Sequence, residues 1–245
     1  MTLTTTPERL GEGLLRAQLH WQTRQQAEAG DKRAATPSAF TIAISREAGA
    51  KGGAVAANLG ERLGWPVYDR ALLRHIAEEL GLSERLLETV DEKRVNWLMT
   101  YLQAFASNHA VSPGAYSYGL SKVVLSLAAH GECVIVGRGA AQFLPPDKTL
   151  RVRLVAPLDD RIAMMQKRTG LQKEQAARRV ESIDLDRTNF VREHFHQDPA
   201  DPTLYDVILN TSRFTVEECA EIIEQALRRL QAPKRVGTRT AALVG

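Results

Sequence analysis

Several things are scarce in this sequence, and each scarcity closes off a class of protein. Cysteine occurs only twice in 245 residues. Neither Cys133 nor Cys219 has a CxxC partner or a histidine at ligand spacing, so a disulfide scaffold and a zinc module are both excluded and two reduced, buried thiols are expected. The longest uncharged apolar runs, such as Val123–Ala129 and Cys133–Val136, fall far short of the roughly 18 residues that span a bilayer. The Thr-rich start, Met1–Arg9, lacks the basic and apolar segments of an export signal. No membrane partner and a cytoplasmic location are therefore expected. Excess charge of one sign is also missing: 32 Lys+Arg stand against 29 Asp+Glu, a net charge of +3 that argues against nucleic acid as a partner. The histidines show no zincin or deaminase spacing, and no metal site is expected.

What remains is an ordinary globular composition, 44% hydrophobic and 25% charged, long enough to bury a real core and unlike collagen, a coiled coil or a disordered chain. From Phe40 onward, short continuous apolar runs alternate with helical periodicity. Strands covered by helices on both faces read this way, so the fold class is α/β with a parallel sheet. Strands are predicted at Phe40–Ser45, Pro66–Tyr68, Cys133–Val136, Leu150–Val155 and Tyr205–Asn210. Helices are predicted at Gly53–Leu63, Ala71–Leu80, Glu84–Val90, Leu158–Thr169 and Val216–Leu230, the last opened by Thr215 and Glu218 in capping-box spacing. Residues 1–38 read as a mobile or peripherally docked N-terminal extension, 39–230 as the domain and 231–245 as a basic tail carrying Lys234, Arg235 and Arg239. A helical insert, 92–130, is broken at Ser112–Gly114. Its Trp97, Leu98, Tyr101, Leu102 and Phe105 suit a cover over a site, a homo-oligomer contact or simple core.

The segment richest in chemistry is the loop Ser45-Arg46-Glu47-Ala48-Gly49-Ala50-Lys51-Gly52-Gly53, between a buried strand and a helix. Strand, glycine loop and helix N-terminus together aim backbone N–H groups and a helix dipole at phosphate. The loop is not a Walker A motif, GxxxxGK[ST]. Arg46 replaces the first glycine, Lys51 comes one residue early, and Gly53 or Ala54 stands in place of the hydroxyl residue. A glycine-rich turn that merely closes a βα unit is the competing reading.

The stretch IAISREAGAKGGAVAANLGERLGWPVYDRALL resembles the opening of the cytidylate kinase-like family, relatives of the P-loop nucleoside monophosphate kinases. The resemblance continues through GECVIVGRGA, RVRLVAPLDDRIAMMQKRTG with ARRVESIDLDRTNF, and YDVILNTSRFTVEECAEII, and so spans about Phe40–Leu230. It implies a P-loop kinase-like three-layer fold with about five strands, a helical acceptor-site insert and a helical lid near 158–197. It also implies ATP and Mg²⁺, nucleotide substrates, and phosphoryl transfer to a nucleoside monophosphate, with CMP or dCMP favoured.

On that resemblance, Gly49, Ala50, Lys51, Gly52 and Gly53 cradle the donor phosphates, and Lys51 makes the direct charge contact unless it is a solvated loop residue. Asp69 matches the acidic residue near the acceptor, although its place also suits an N-cap. Arg70 and Arg74 lie one helical turn apart and either reach an acceptor phosphate or form a wet helix face. Arg138, between Gly137 and Gly139 at the end of an apolar strand, suits bidentate phosphate or base contact, with a structural ion pair as the alternative. Of the arginines at 161, 168, 178, 179 and 187, the resemblance singles out Arg179 and Arg187, beside Asp186, as lid groups that reach the transition state. The missing Walker hydroxyl leaves Mg²⁺ to water and to a carboxylate such as Glu47 or Asp69. It also keeps open a second class of function, a nucleotide-binding or regulatory protein that has lost catalysis.

Overall fold

The computed structural model describes residues 7–30, 40–78, 86 and 115–232. Five strands, β1 (Thr41–Arg46), β2 (Val67–Tyr68), β3 (Cys133–Val136), β4 (Thr149–Val155) and β5 (Val207–Asn210), form one sheet in the order β2-β3-β1-β4-β5. Every pairing is parallel, with Ile42 of β1 facing Val134 on one side and Leu150 on the other. The five predicted strands are all present, displaced by at most two residues at an end.

Alternation along the strands divides the core in two, because successive side chains point to opposite faces. Ile42, Ile44, Val134, Val136, Val152 and Leu154 pack with Val55 and Leu59 of α2 (Gly52–Leu63) and with Cys219, Ile223 and Leu227 of α8 (Val216–Gln231). On the other face, Ala43, Cys133 and Ile135 meet Leu73 and Ile76 of α3 (Arg70–Glu78) and Val124 and Leu127 of α4 (Ala115–His130). Each such side chain, fully buried, contributes about 1.5–3 kcal/mol. Both cysteines lie in these layers, outside any disulfide.

Helix α1 (Pro7–Gly30) packs against α3. Ala17 and Trp21 are buried, and the Trp21 indole Nε1–H donates to the Tyr68 hydroxyl at 2.9 Å. Burial pushes the Tyr68 pKa well up, so the phenol stays protonated. Beyond β3 come a single turn, α5 (Ala140–Phe143), and then a hairpin of α6 (Leu158–Thr169) and α7 (Lys173–Phe195). The hairpin has its own small core, in which Ile162, Met165, Ala176 and Val180 enclose Ala48 of the loop after β1.

Local signals account for the helix ends. Asp69 Oδ1 accepts the amide N–H groups of Ala71 and Leu72 at 2.9 and 3.0 Å, capping α3. Thr215 and Glu218 form a capping box at α8, as their spacing predicted. Glycines 64 and 170 end α2 and α6 in the left-handed conformation. The predicted helix 84–90 apart from Leu86, which is helical and buried, the break at 112–114, the aromatic part of the insert and the basic tail beyond 232 lie outside the described residues.

Candidate functional site

A cleft opens along the carboxyl ends of β1, β2, β3 and β4, the edge where open α/β sheets take ligands. Its volume, about 1700 Å³, exceeds the ~300–1,000 Å³ of a site for one small ligand. The walls are the loop after β1, the start of α3, the turn after β3 and the α6–α7 hairpin. Helix α1 adds Glu12, Gly13 and Arg16 to the lining.

The loop is held by its own backbone and by the hairpin. Glu47 N–H donates to Leu154 O at 3.0 Å and Ala50 N–H to Glu47 O at 3.3 Å. Gly49 lies against α6, so close that a Cβ there would sit 2.5 Å from the Arg161 carbonyl oxygen. Ala50 is fully buried and does not line the cleft; Gly52 and Gly53, which open α2, do. Lys51 is the N-cap of α2 in the left-handed conformation, φ 50°, and its side chain does not cap the helix. The first-turn amides are therefore left without a side-chain partner at the cleft, where helix ends favour anions.

Lys51 departs from the expectation for it. Its Nζ donates to the Thr211 carbonyl oxygen at 2.8 Å, tying the loop to the segment after β5 instead of reaching over the glycines. The cause is its register. Counted against GxxxxGK[ST], Lys51 stands where the second glycine belongs, at the left-handed position, and Gly52 stands where the lysine belongs.

A different cation fills that gap. The stem of Arg46, the last residue of β1, passes under Gly52, where a Cβ would lie 2.7 Å from the arginine Cγ. Its guanidinium ends against Gly137, where a Cβ would clash with Arg46 Nη1. Gly137 has φ 80°, open only to glycine at low cost, so the turn after β3 is shaped around this side chain. Among the described residues the Arg46 side chain has neither a hydrogen bond nor an ion pair. Burial first, then the nearby charges of Arg187, Arg138 and Arg70 opposed only by Asp69, lower its pKa from the usual value to about 9.

The other predicted residues divide. Arg138 follows at φ 58° between Gly137 and Gly139, lines the cleft and holds its guanidinium 5.7 Å from the Phe190 ring centroid, a cation–π distance. Asp69 lines the cleft as well as capping α3, with Oδ1 taken by amides. Arg70 lines the cleft. Arg74 does not: one turn further on, it pairs with Glu78 at 3.7 Å, both side chains 57% exposed, which corrects its assignment to the site. Arg179, Asp186 and Arg187 of α7 all line the cleft, Asp186 exposed and the two arginines half-buried.

The base of the hairpin is a dense ionic knot that the sequence did not suggest. Asp184 accepts the Ala48 N–H at 2.7 Å and Arg161 Nη1 at 2.5 Å, and Arg187 lies 3.8 Å away. Arg161 also faces Glu47 Oε2 at 3.4 Å and donates to Ala156 O at 3.0 Å. Glu47 takes the Ala156 N–H at 3.1 Å and stands 3.8 Å from Arg153. Arg187 donates to the Arg46 carbonyl oxygen at 3.0 Å, and burial lowers its pKa although Asp184 pulls the other way.

These positions decide the question of Mg²⁺. Glu47 is committed to two arginines and an amide, Gly53 has no hydroxyl, and no cluster of three or more metal-ligating side chains occurs among the described residues. Asp69, with one oxygen left, is one of several carboxylates that line the cleft. The described residues do not build a dedicated ion site.

The pattern that defines the cytidylate kinase-like family matches residues 41–213, from the first residue of β1 to just past β5. The chain belongs to the cytidylate kinase-like family. A cytidylate kinase of Methanopyrus kandleri is 33% identical over 109 residues, 41% of this chain, and the match spans about half, 56%, of that enzyme's length. A cytidylate kinase of Pyrococcus horikoshii is 23% identical over 207 residues, covering 84% of this chain and 97% of its own. A crystal structure of an uncharacterized protein from Eubacterium ventriosum has the same fold, with TM-score 0.62 at 22% identity, covering 78% of this chain and 99% of that one.

Within the cytidylate kinase-like match, sequence reasoning named Arg46 only as a departure from a template, and it missed Asp184 altogether. The available signal for Asp184 was its i,i+3 spacing to Arg187 on a helix rich in arginine. Glu12 and Arg16 lie outside the family match and carried no signal beyond a weak amphipathic pattern.

Proposed function

We propose that the protein is a nucleoside monophosphate kinase that moves the γ-phosphoryl group of MgATP to a pyrimidine monophosphate, CMP or dCMP. The observation that carries this reading is the convergence of Arg46, Arg70, Arg138, Arg179 and Arg187 on one cleft beside a phosphate-type loop. So many cations at a strand edge suit two polyphosphates, and catalysis of phosphoryl transfer is largely positioning and charge neutralisation. The cleft volume, about 1700 Å³, accommodates two ligands of nucleotide size. The base preference is suggested by the two relatives named above, both cytidylate kinases.

In this reading the loop Gly49–Gly53 and the open amides of α2 hold the donor phosphates. Asp69, Arg70 and Arg138 face the acceptor. The α6–α7 hairpin excludes water and brings Arg179 and Arg187 to the developing charge, with Asp186 at the mouth. Mg²⁺ bound to the donor phosphates would supply charge screening there. ADP formation from MgATP against CMP, dCMP, UMP, AMP and GMP tests the reading. Turnover with the pyrimidines, lost in Arg138→Ala, supports it. Silence across the whole panel, with nucleotide binding intact, would instead establish the binding-protein reading that the absent Walker lysine and hydroxyl favour.

A further inference from the structure

The loop of this chain has no lysine at the Walker position, because Gly52 stands there. Arg46 fills the space that a side chain at position 52 would take: its stem lies so close to Gly52 that a Cβ there would clash with the arginine Cβ and Cγ. The turn after β3 is moulded on its guanidinium through Gly137, 91 residues away in the sequence. That fit would serve no purpose for a solvated arginine. A structural arginine, on the other hand, would have a carboxylate or carbonyl partner, as Arg161 has, and Arg46 has none among the described residues. Arg46 lines a cleft that further arginines also line, an arrangement that suits an anion.

We propose that Arg46 takes the part of the missing Walker lysine, crossing the loop from the end of β1 to hold the terminal phosphate of the donor. The assignment rests on the kinase reading for the transfer step, but its phosphate-binding part stands apart from turnover. In the transfer, an oxygen of the acceptor monophosphate forms a bond to the γ-phosphorus. The bond from that phosphorus to the β,γ-bridging oxygen breaks, and the bridging oxygen keeps the electron pair. Arg46 neither gives nor takes a proton; its charge balances the non-bridging oxygens throughout. The lowered pKa agrees with a cation whose partner comes from outside the chain.

The experiment compares Arg46→Met, which keeps the stem and removes the charge, with Arg46→Lys, which keeps the charge and loses the fork. Affinities for ATP, ADP and AMP are measured by calorimetry on each, with turnover alongside and melting curves to confirm folding. For Arg46→Met we expect ATP affinity to fall about 10²-fold or more with AMP affinity within threefold, and Arg46→Lys to recover at least tenfold of the loss. Equal losses for ATP and AMP, or no loss at all, would overturn the assignment and leave Arg46 a packing residue. Should the wild-type chain turn over no monophosphate, the kinase reading fails by itself, and the ATP-to-AMP ratio still decides whether Arg46 binds a terminal phosphate. Gly137→Ala, which would force the guanidinium aside, serves as a check that leaves Arg46 in the sequence, and it should show the same phosphate-number dependence.

Discussion

The base of the α6–α7 hairpin and the floor of the cleft are both rich in arginine, yet they are built on opposite terms. At the base, Arg161 meets Asp184, Glu47 and the Ala156 carbonyl, and its Nε and Nη1 both find acceptors. On the floor, Arg46 meets other cations and a glycine. The first arrangement is internally satisfied and serves to fix the hairpin to the loop. The second leaves a charge desolvated and unpaired, which costs stability in the free protein and is relieved only when an anion enters. Binding energy is thereby prepared in the fold itself, a trade between stability and function found at many active sites.

The contrast is broken most severely at its satisfied end. Asp184→Asn removes the counter-charge of Arg161 and Arg187 and weakens the acceptor of Ala48 N–H, and should destabilise the fold by about 3 kcal/mol. For a chain of this size that is a fall in Tm of about 6–12 °C. Thermal denaturation checks it, and a double-mutant cycle with Arg161→Met should return a coupling of at least ~1 kcal/mol. An uncoupled result would mean that the knot is decorative.

At the floor the sign should reverse. Arg46→Met replaces an unpaired ion with an apolar stem and should raise the stability of the ligand-free protein by about 1–2 kcal/mol, while removing the gain in Tm that ATP gives the wild type. Dependence on pH sharpens the point. Because the folded pKa of Arg46, about 9, lies below its usual value, the folded protein releases this proton first as pH rises, while the unfolded chain still holds it. The destabilising contribution of Arg46 is therefore full at pH 7 and fades above pH 9. The Tm advantage of Arg46→Met over the wild type should be larger at pH 7 than at pH 10.

The smallest effect is expected at Lys51. Lys51→Gly removes one hydrogen bond to a carbonyl but relieves a left-handed backbone, for a net change within about ±1 kcal/mol. Turnover should fall less than tenfold, the size of losing one peripheral charge. A loss of 10³-fold would return the Walker role to Lys51 and remove it from Arg46.

Much of this molecule was legible before any coordinates. Continuous apolar runs at 42–44 and 133–136 read as buried strands, as did the stretch Leu150–Val155 despite its two arginines, and the breakers at Gly64 and Gly170 ended helices where the structure ends them. The cleft residues with a local signature, such as the glycine loop and Arg138 between its glycines, were also visible. What stayed hidden depends on contacts across the chain. Arg46 means something only beside Gly52 and Gly137, and Asp184 only beside Ala48 and Arg161. Lys51 was misplaced for a related reason: a motif read by residue type carries no backbone conformation, and φ at position 51 decides which way the side chain leaves the loop. Arg74 shows the limit of helical spacing, since a residue one turn from the cleft can face either ligand or water.

The indole of Trp21, hydrogen-bonded to a buried phenol one residue before Asp69, gives the protein an optical gauge of its own. Tryptophan emission depends on the partner of the ring N–H and on the water around it. A shift of α1 against the acceptor wall would therefore move the Trp21 emission without any attached dye. Trp65, which lines the cleft directly, would respond to occupancy instead. With Trp97, the third tryptophan, replaced by phenylalanine, one fluorophore senses helix position and the other the arrival of ligand, and the order of those two events can be timed.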